Sequence, residues 1–89
     1  MIPTSKKLDK IAKIFTIASK NKKDHKGFLT DILSPGEIDD IFDRISIFEE
    51  LLKNKPQREV SAKLKVSIAK VTRAAHVLKY GSHVLKKLL

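Results

Sequence analysis

The sequence predicts an all-α fold: an intertwined helical homodimer of about six helices per chain that carries a helix-turn-helix. Three observations predict it. Apolar residues recur at three- and four-residue spacing through every long stretch. The stretch Gln57–Lys79, QREVSAKLKVSIAKVTRAAHVLK, splits into two such patterns around a break at Lys65-Val66-Ser67. And a chain of 89 residues with five aromatics and no Trp has more apolar helix surface than it can bury alone, so a second copy is expected to complete the core. The whole chain, 1–89, reads as one domain.

Met1–Thr4 read as disordered. From 5 to 22 the residues Leu8, Ile11, Phe15 and Ala18 form a helical stripe that Ile14 and Ile17 widen. A helix apolar on more than one side must be covered more than once, which makes this a dimerisation helix. The alternative, a helix lying on a membrane with its lysines toward the headgroups, is the less favoured cover. Lys20–Lys26 reads as a solvated connector in which His25 is exposed and lacks a metal partner at suitable spacing. Gly27–Leu33 follows as a short apolar turn.

Ser34-Pro35-Gly36-Glu37 is a start signal: the serine caps, the proline suits the first helical position and the glutamate reaches back. The helix over 34–53 carries Ile38, Ile41, Phe42, Ile45, Phe48, Leu51 and Leu52, the broadest apolar face in the chain. Asp39, Asp40, Asp43, Glu49 and Glu50 read as its solvated face. No nucleophile or metal constellation accompanies these acids, so no enzymatic activity is expected.

Asn54-Lys55-Pro56 ends that helix, and Pro56 opens the helix-turn-helix of 57–79. Val60 and Leu64 lie four residues apart on its first helix, with Ser61 as a small residue where a second helix can cross. Ser67 is an N-cap for a second helix with Ile68, Val71, Ala75 and Leu78 on one face. The N-terminal part of the second helix of such a unit enters the DNA major groove, which is where Ser67, Ala69, Lys70, Thr72 and Arg73 fall. Lys65 occupies a turn position that commonly holds glycine, and a left-handed turn there costs a lysine roughly 1 kcal/mol. Tyr80-Gly81-Ser82 stop the helix, with Gly81 suited to a left-handed terminal position. Val84, Leu85, Leu88 and Leu89 then form a short helix over 82–89 that packs on the other subunit. His76 and His83 read as a helix-surface and a helix-start residue, each within reach of a phosphate.

The net charge of +9 is unevenly spread, and ten Lys/Arg against the single acid Glu59 lie between Lys53 and Leu89. Phosphate is the natural partner of that segment. The absence of cysteine excludes a disulfide framework, a reactive thiol and a thiolate metal site, and no apolar run is long enough for a signal peptide or a membrane span. A cytoplasmic protein without a membrane partner is expected. Two other readings stay open: an effector-independent DNA-binding protein of the same fold, and a protein-interaction module whose basic surface meets an acidic partner.

The order of elements, the S-P-x-E cap, Arg44-Ile-x-Ile-x-Glu-Glu-Leu-Leu, and Gln57-Arg58-Glu59 followed by Ser67-Ile68-Ala69-Lys70-Val71-Thr72-Arg73 resemble the tryptophan operon repressor family over roughly Phe28–Lys79. Leu78-Lys79-Tyr80-Gly81 is similar to a related branch that ends this helix in Tyr-Gly. The resemblance implies an intertwined dimer with a helix-turn-helix at each end, acting as a repressor on a pseudo-palindromic operator with half-sites about 34 Å apart. Gln57, Arg58, Ser67, Ile68, Ala69, Lys70 and Thr72 match its DNA contacts. Lys70 stands in place of a smaller hydroxyl residue and is expected to reach a guanine edge, as is Arg58; Arg73 and Lys79 add positive charge to the same surface.

The resemblance also implies a small-molecule corepressor site. Arg44 and Arg73 match the two arginines that flank the indole of L-tryptophan and hold its carboxylate, which suits guanidinium chemistry. Leu33 and Ser34 match residues that close the pocket from the partner subunit. Two positions depart: Ala74 adds a methyl where the family has glycine, and Val77 replaces a serine whose hydroxyl helps hold the amino group. Losing that acceptor costs a buried ammonium roughly 1–3 kcal/mol, so L-tryptophan is expected to bind weakly or not at all.

Overall fold

The computed structural model describes residues 1–89 as six helices and no strand: α1 Thr4–Ala18, α2 Lys22–Ile32, α3 Pro35–Leu52, α4 Gln57–Leu64, α5 Ile68–Tyr80 and α6 Val84–Leu88. Two compact units divide the chain, Met1–Ile38 and Asp39–Leu89.

In the first unit, α1 already begins at Thr4, inside the segment expected to be disordered. Its apolar stripe buries nothing completely, and Leu8, Ile11, Ile14 and Ile17 are all exposed. The expected connector and apolar turn are in fact one helix, α2. The Asn21 side chain caps it by accepting from the Asp24 backbone N–H at 3.0 Å. The acid Asp24 in the first turn complements the helix dipole. Phe28 on α2 meets Phe15 on α1 edge to face, ring centres 5.1 Å apart and planes at 89°.

The capping box that starts α3 forms as read. Ser34 Oγ accepts from the Glu37 N–H at 3.2 Å, and Glu37 Oε1 accepts from the Ser34 N–H at 2.9 Å. The backbone hydrogen bond from Ser34, helped by its side chain, holds the Glu37 carboxyl below its ordinary pKa.

The second unit closes around Ile47 of α3, Val60 of α4 and Val71 and Ala74 of α5, with Phe48, Leu51, Leu64 and Val66 packed on them. Pro56 stands one residue before α4, in extended conformation. Between α4 and α5, Lys65 adopts the left-handed conformation, φ 55° and ψ 43°. Ser61 fixes this turn from both sides: its Oγ donates to the Val66 carbonyl at 2.6 Å, and its own carbonyl accepts from the Val66 N–H at 3.2 Å. Ser67 then caps α5, accepting from the Lys70 N–H at 3.3 Å.

Two sequence readings need correction here. Gly81 is not left-handed, with φ −82° and ψ −160°; the left-handed residue is His83, φ 65°, just before α6. Glycine is required at 81 for a different reason. Its N–H donates to the Val77 carbonyl at 2.8 Å, and an added Cβ would lie 2.6 Å from that same oxygen. Gly81→Ala is therefore expected to force the α5–α6 turn apart and to cost about 1–3 kcal/mol, read as a lower denaturation midpoint. Glu50, assigned to the solvated face of α3, is instead buried.

Candidate nucleic-acid interface and adjoining cavity

The buried side of α5 carries Val71 and Ala74, so helical geometry turns Ala69, Thr72 and Arg73 outward. Ser67, Ile68, Ala69, Lys70, Thr72, Arg73 and Lys79 are exposed, as are Gln57 and Arg58 at the start of α4. The two helix starts are tied together: Thr72 Oγ1 donates to Gln57 Oε1 at 3.0 Å. The residues singled out in the sequence for DNA thus come from two adjacent helices held in one arrangement, with the capped N-terminus of α5 leading.

Besides the Ile47–Val60 packing, a group of charges around Glu50 ties α4 to α3. Lys63 of α4 donates to Glu50 Oε1 at 2.7 Å, Lys55 meets Oε2 at 2.5 Å as an ion contact outside hydrogen-bond alignment, and Lys53 stands 3.8 Å from Oε1. The close contact with Lys55, and then the hydrogen bond from Lys63, outweigh the opposing effect of desolvation and lower the Glu50 pKa to about 2. The same contact with Glu50 raises the pKa of Lys55.

The sign of the pH dependence follows. A carboxylate whose pKa falls on folding contributes stability above its unfolded value, about 4.5, and loses it as pH drops through about 2. Wild type is expected to be more stable than Glu50→Gln at neutral pH, and the two are expected to converge as pH falls from about 4.5 to about 2. Denaturant melts of both proteins at a series of pH values measure this directly.

Beside the outward face of α5 lies a cavity of about 470 Å³ within the second unit. Arg44, Lys70, Arg73 and the acid Asp40 supply its charge, while Ile47, Phe48, Ala74, Val77 and Leu85 supply its apolar wall. Of the residues expected to hold an effector, Arg44, Arg73, Ala74 and Val77 are brought together here. Leu33 and Ser34 belong to the first unit, where Leu33 ends α2 and Ser34 caps α3. Sequence reasoning missed Asp40, Ile47, Phe48, Lys70 and Leu85 as cavity residues. Lys70 had been given to DNA alone, and Leu85 to the other subunit. Lys70 could have been found, since it lies three and four residues before Arg73 and Ala74 on one helix.

No helix is long and apolar enough to cross a membrane, and no group of three or more His, Cys, Asp or Glu is placed to hold a metal ion.

The family model described as Trp repressor protein matches residues 6–89. A Trp operon repressor homolog from Xylella fastidiosa (strain 9a5c) is 53% identical over 53 residues, which cover 58% of this chain and 58% of that protein. A Trp operon repressor homolog from Vibrio atlanticus (strain LGP32) is 39% identical over 69 residues, 76% of this chain and 70% of that protein. For one from Vibrio parahaemolyticus serotype O3:K6 (strain RIMD 2210633) the identity is 36% over 73 residues, covering 81% and 71% respectively. The match to the Xylella relative thus spans 58% of that protein's length. No solved structure matches the chain.

Proposed function

The chain belongs to the Trp repressor family, a family of DNA-binding regulators rather than enzymes, and on that premise we propose that it is a homodimeric, sequence-specific transcriptional repressor. The observation that carries the reading is the exposed start of α5, with Ala69, Lys70, Thr72 and Arg73, set beside Gln57 and Arg58 at the start of α4. Side chains so placed read base edges in a major groove, while the lysines around them neutralise phosphates. Duplex DNA as partner puts the protein in the cytoplasm, and occupancy of an operator excludes polymerase. Selection of bound sequences from a random duplex pool tests this. A pseudo-palindrome with half-sites about one helical turn apart is expected. A pool that stays random after selection would overturn it.

The dimer rests on the apolar residues left uncovered in one chain: Leu8, Ile11, Ile14 and Ile17 on α1, and Phe42 on α3, which is 69% exposed. A second copy is the cover that fits a soluble regulator with two half-sites. Sedimentation of a compact monomer at micromolar concentration and moderate salt would exclude it.

The corepressor of this protein is not L-tryptophan in our reading. Arg44 and Arg73 remain to hold a carboxylate, but Ala74 narrows the cavity and Val77 offers an ammonium no acceptor. Titration calorimetry is expected to give weak or no tryptophan binding. Ala74→Gly combined with Val77→Ser is expected to restore part of it, by returning both the space and the acceptor.

A further inference from the structure

We infer that Ser61 is a positioning residue for operator recognition: without touching DNA, its hydroxyl sets the direction in which α5 leaves the turn, and with it the placement of the base-reading side chains. The inference rests on the reading of α4 and α5 as a DNA-binding unit.

Ser61 holds the turn by its carbonyl and its hydroxyl at once. The carbonyl accepts from the N–H of Lys65, which ends α4, and from the N–H of Val66 at 3.2 Å. The Oγ donates to the Val66 carbonyl at 2.6 Å. Both peptide planes that flank Val66 are therefore fixed by the same residue, one through its N–H and the other through its carbonyl. With those planes held, the φ and ψ of Val66 have no freedom left. The second plane matters more for function, because it joins Val66 to Ser67, the N-cap of α5. A rotation there swings α5 about its first residue, and Ala69, Lys70, Thr72 and Arg73 move with it.

The two bonds to the Ser61 carbonyl are the ordinary way in which a helix ends on a left-handed residue, and they persist with any side chain at 61. The Val66 carbonyl depends on the hydroxyl alone. Val66 is half-buried with its side chain packed on the core, so a carbonyl left there without a partner turns toward water. Lys65 adds to that tendency, since a lysine at φ 55° keeps this conformation only while its surroundings enforce it. The bond from Thr72 to Gln57 ties α5 to α4 further along. One tie leaves a helix free to pivot, whereas two define its direction. Ser61 itself is half-buried, and its hydroxyl proton is already given to Val66.

The test compares Ser61→Ala, Lys65→Gly and the double variant with wild type, by fluorescence anisotropy on the selected operator and on random duplex, with urea melts alongside. Ser61→Ala is expected to lower the ratio of operator to random affinity about 5- to 100-fold, the range of one misplaced base contact. Affinity for random duplex is expected to stay unchanged, because contacts to phosphate carry no sequence information and tolerate a tilt. The urea midpoint of Ser61→Ala is expected to fall as well. Lys65→Gly relieves the left-handed residue and is expected to return that midpoint in the double variant, yet to leave the affinity ratio low, since glycine permits the turn without aiming it. A residue that acted on stability alone would recover both.

Full operator preference in Ser61→Ala, an equal loss on both duplexes, or recovery of preference in the double variant would each overturn the inference and leave the DNA-binding reading standing. A wild-type protein that prefers no duplex would overturn that reading, and this inference with it.

Discussion

Raising the salt concentration from 50 to 200 mM lowers affinity for any duplex about 10³-fold if the dimer neutralises about six phosphates, because log affinity falls with log salt in proportion to the counterions released. The basis is the run of ten Lys/Arg against one acid between Lys53 and Leu89. The lysines held at Glu50 add nothing to the count while they serve that carboxylate, which is why the estimate lies well below the number of basic residues. Substitutions separate the positioning charges from the reading ones. Lys79→Ala weakens operator and random duplex alike and flattens the salt slope by about 2 for the dimer, one phosphate per subunit. Arg58→Ala and Lys70→Ala each lose about 1–3 kcal/mol of preference for the operator. Fluorescence anisotropy with both duplexes across a salt series reads all of these quantities. Equal losses on both duplexes for all three variants would mean that none of these side chains reads a base.

Ile47→Ala carries the largest effect on stability. Its side chain is 1% exposed and packs in one cluster with Val60, Val71 and Ala74, so it is the point at which α3 grips both α4 and α5. Removing its outer methyl groups and methylene leaves a void that neighbouring helices fill only in part, at a cost of about 2–5 kcal/mol. Against a total stability of about 5–15 kcal/mol for a small protein, that is enough to unfold a substantial fraction of molecules in mild denaturant. The expected result is a urea midpoint shifted well below wild type, together with loss of DNA binding. Ile45→Ala serves as the contrast: Ile45 is 43% exposed in the single chain, so its loss is expected to act on dimer dissociation rather than on the fold of the subunit.

Several features were legible in the sequence because each is a local rule. The capping box at Ser34 and Glu37, the N-cap at Ser67 and the left-handed turn at Lys65 all sit where short-range chemistry puts them. The second helix was not legible, because its lysine-rich start dilutes the apolar period and its best signal, Asn21 with Asp24 three residues later, is short and polar. Glu50 was misassigned by residue type alone. It lies three residues after Ile47 and so on the same stripe as the core, a position that a carboxylate tolerates only with cations to meet it. Gly81 was read as a left-handed terminator, whereas its actual constraint, the nearness of the Val77 carbonyl, depends on how the chain leaves α5. The placement of Lys70 and Leu85 in one cavity depends on how α3, α5 and α6 pack, which periodicity does not reveal.

If α4 and α5 read an operator as proposed, the hydrogen bond between Thr72 and Gln57 restricts which of its letters this surface can spell. Gln57 Oε1 accepts one hydrogen bond from the Thr72 hydroxyl, which takes one of its two lone pairs and fixes the direction of the amide. A glutamine held in that direction keeps both amide N–H groups for purine N7, guanine O6 or thymine O4, and meets an adenine amino group only where its one remaining lone pair points. Thr72, its proton already given away, turns lone pairs outward and favours the exocyclic amino groups of cytosine and adenine. Thr72→Val is expected to release the Gln57 amide from that fixed direction and so to broaden the bases it meets, a change of preference produced by a residue that supplies no new contact of its own.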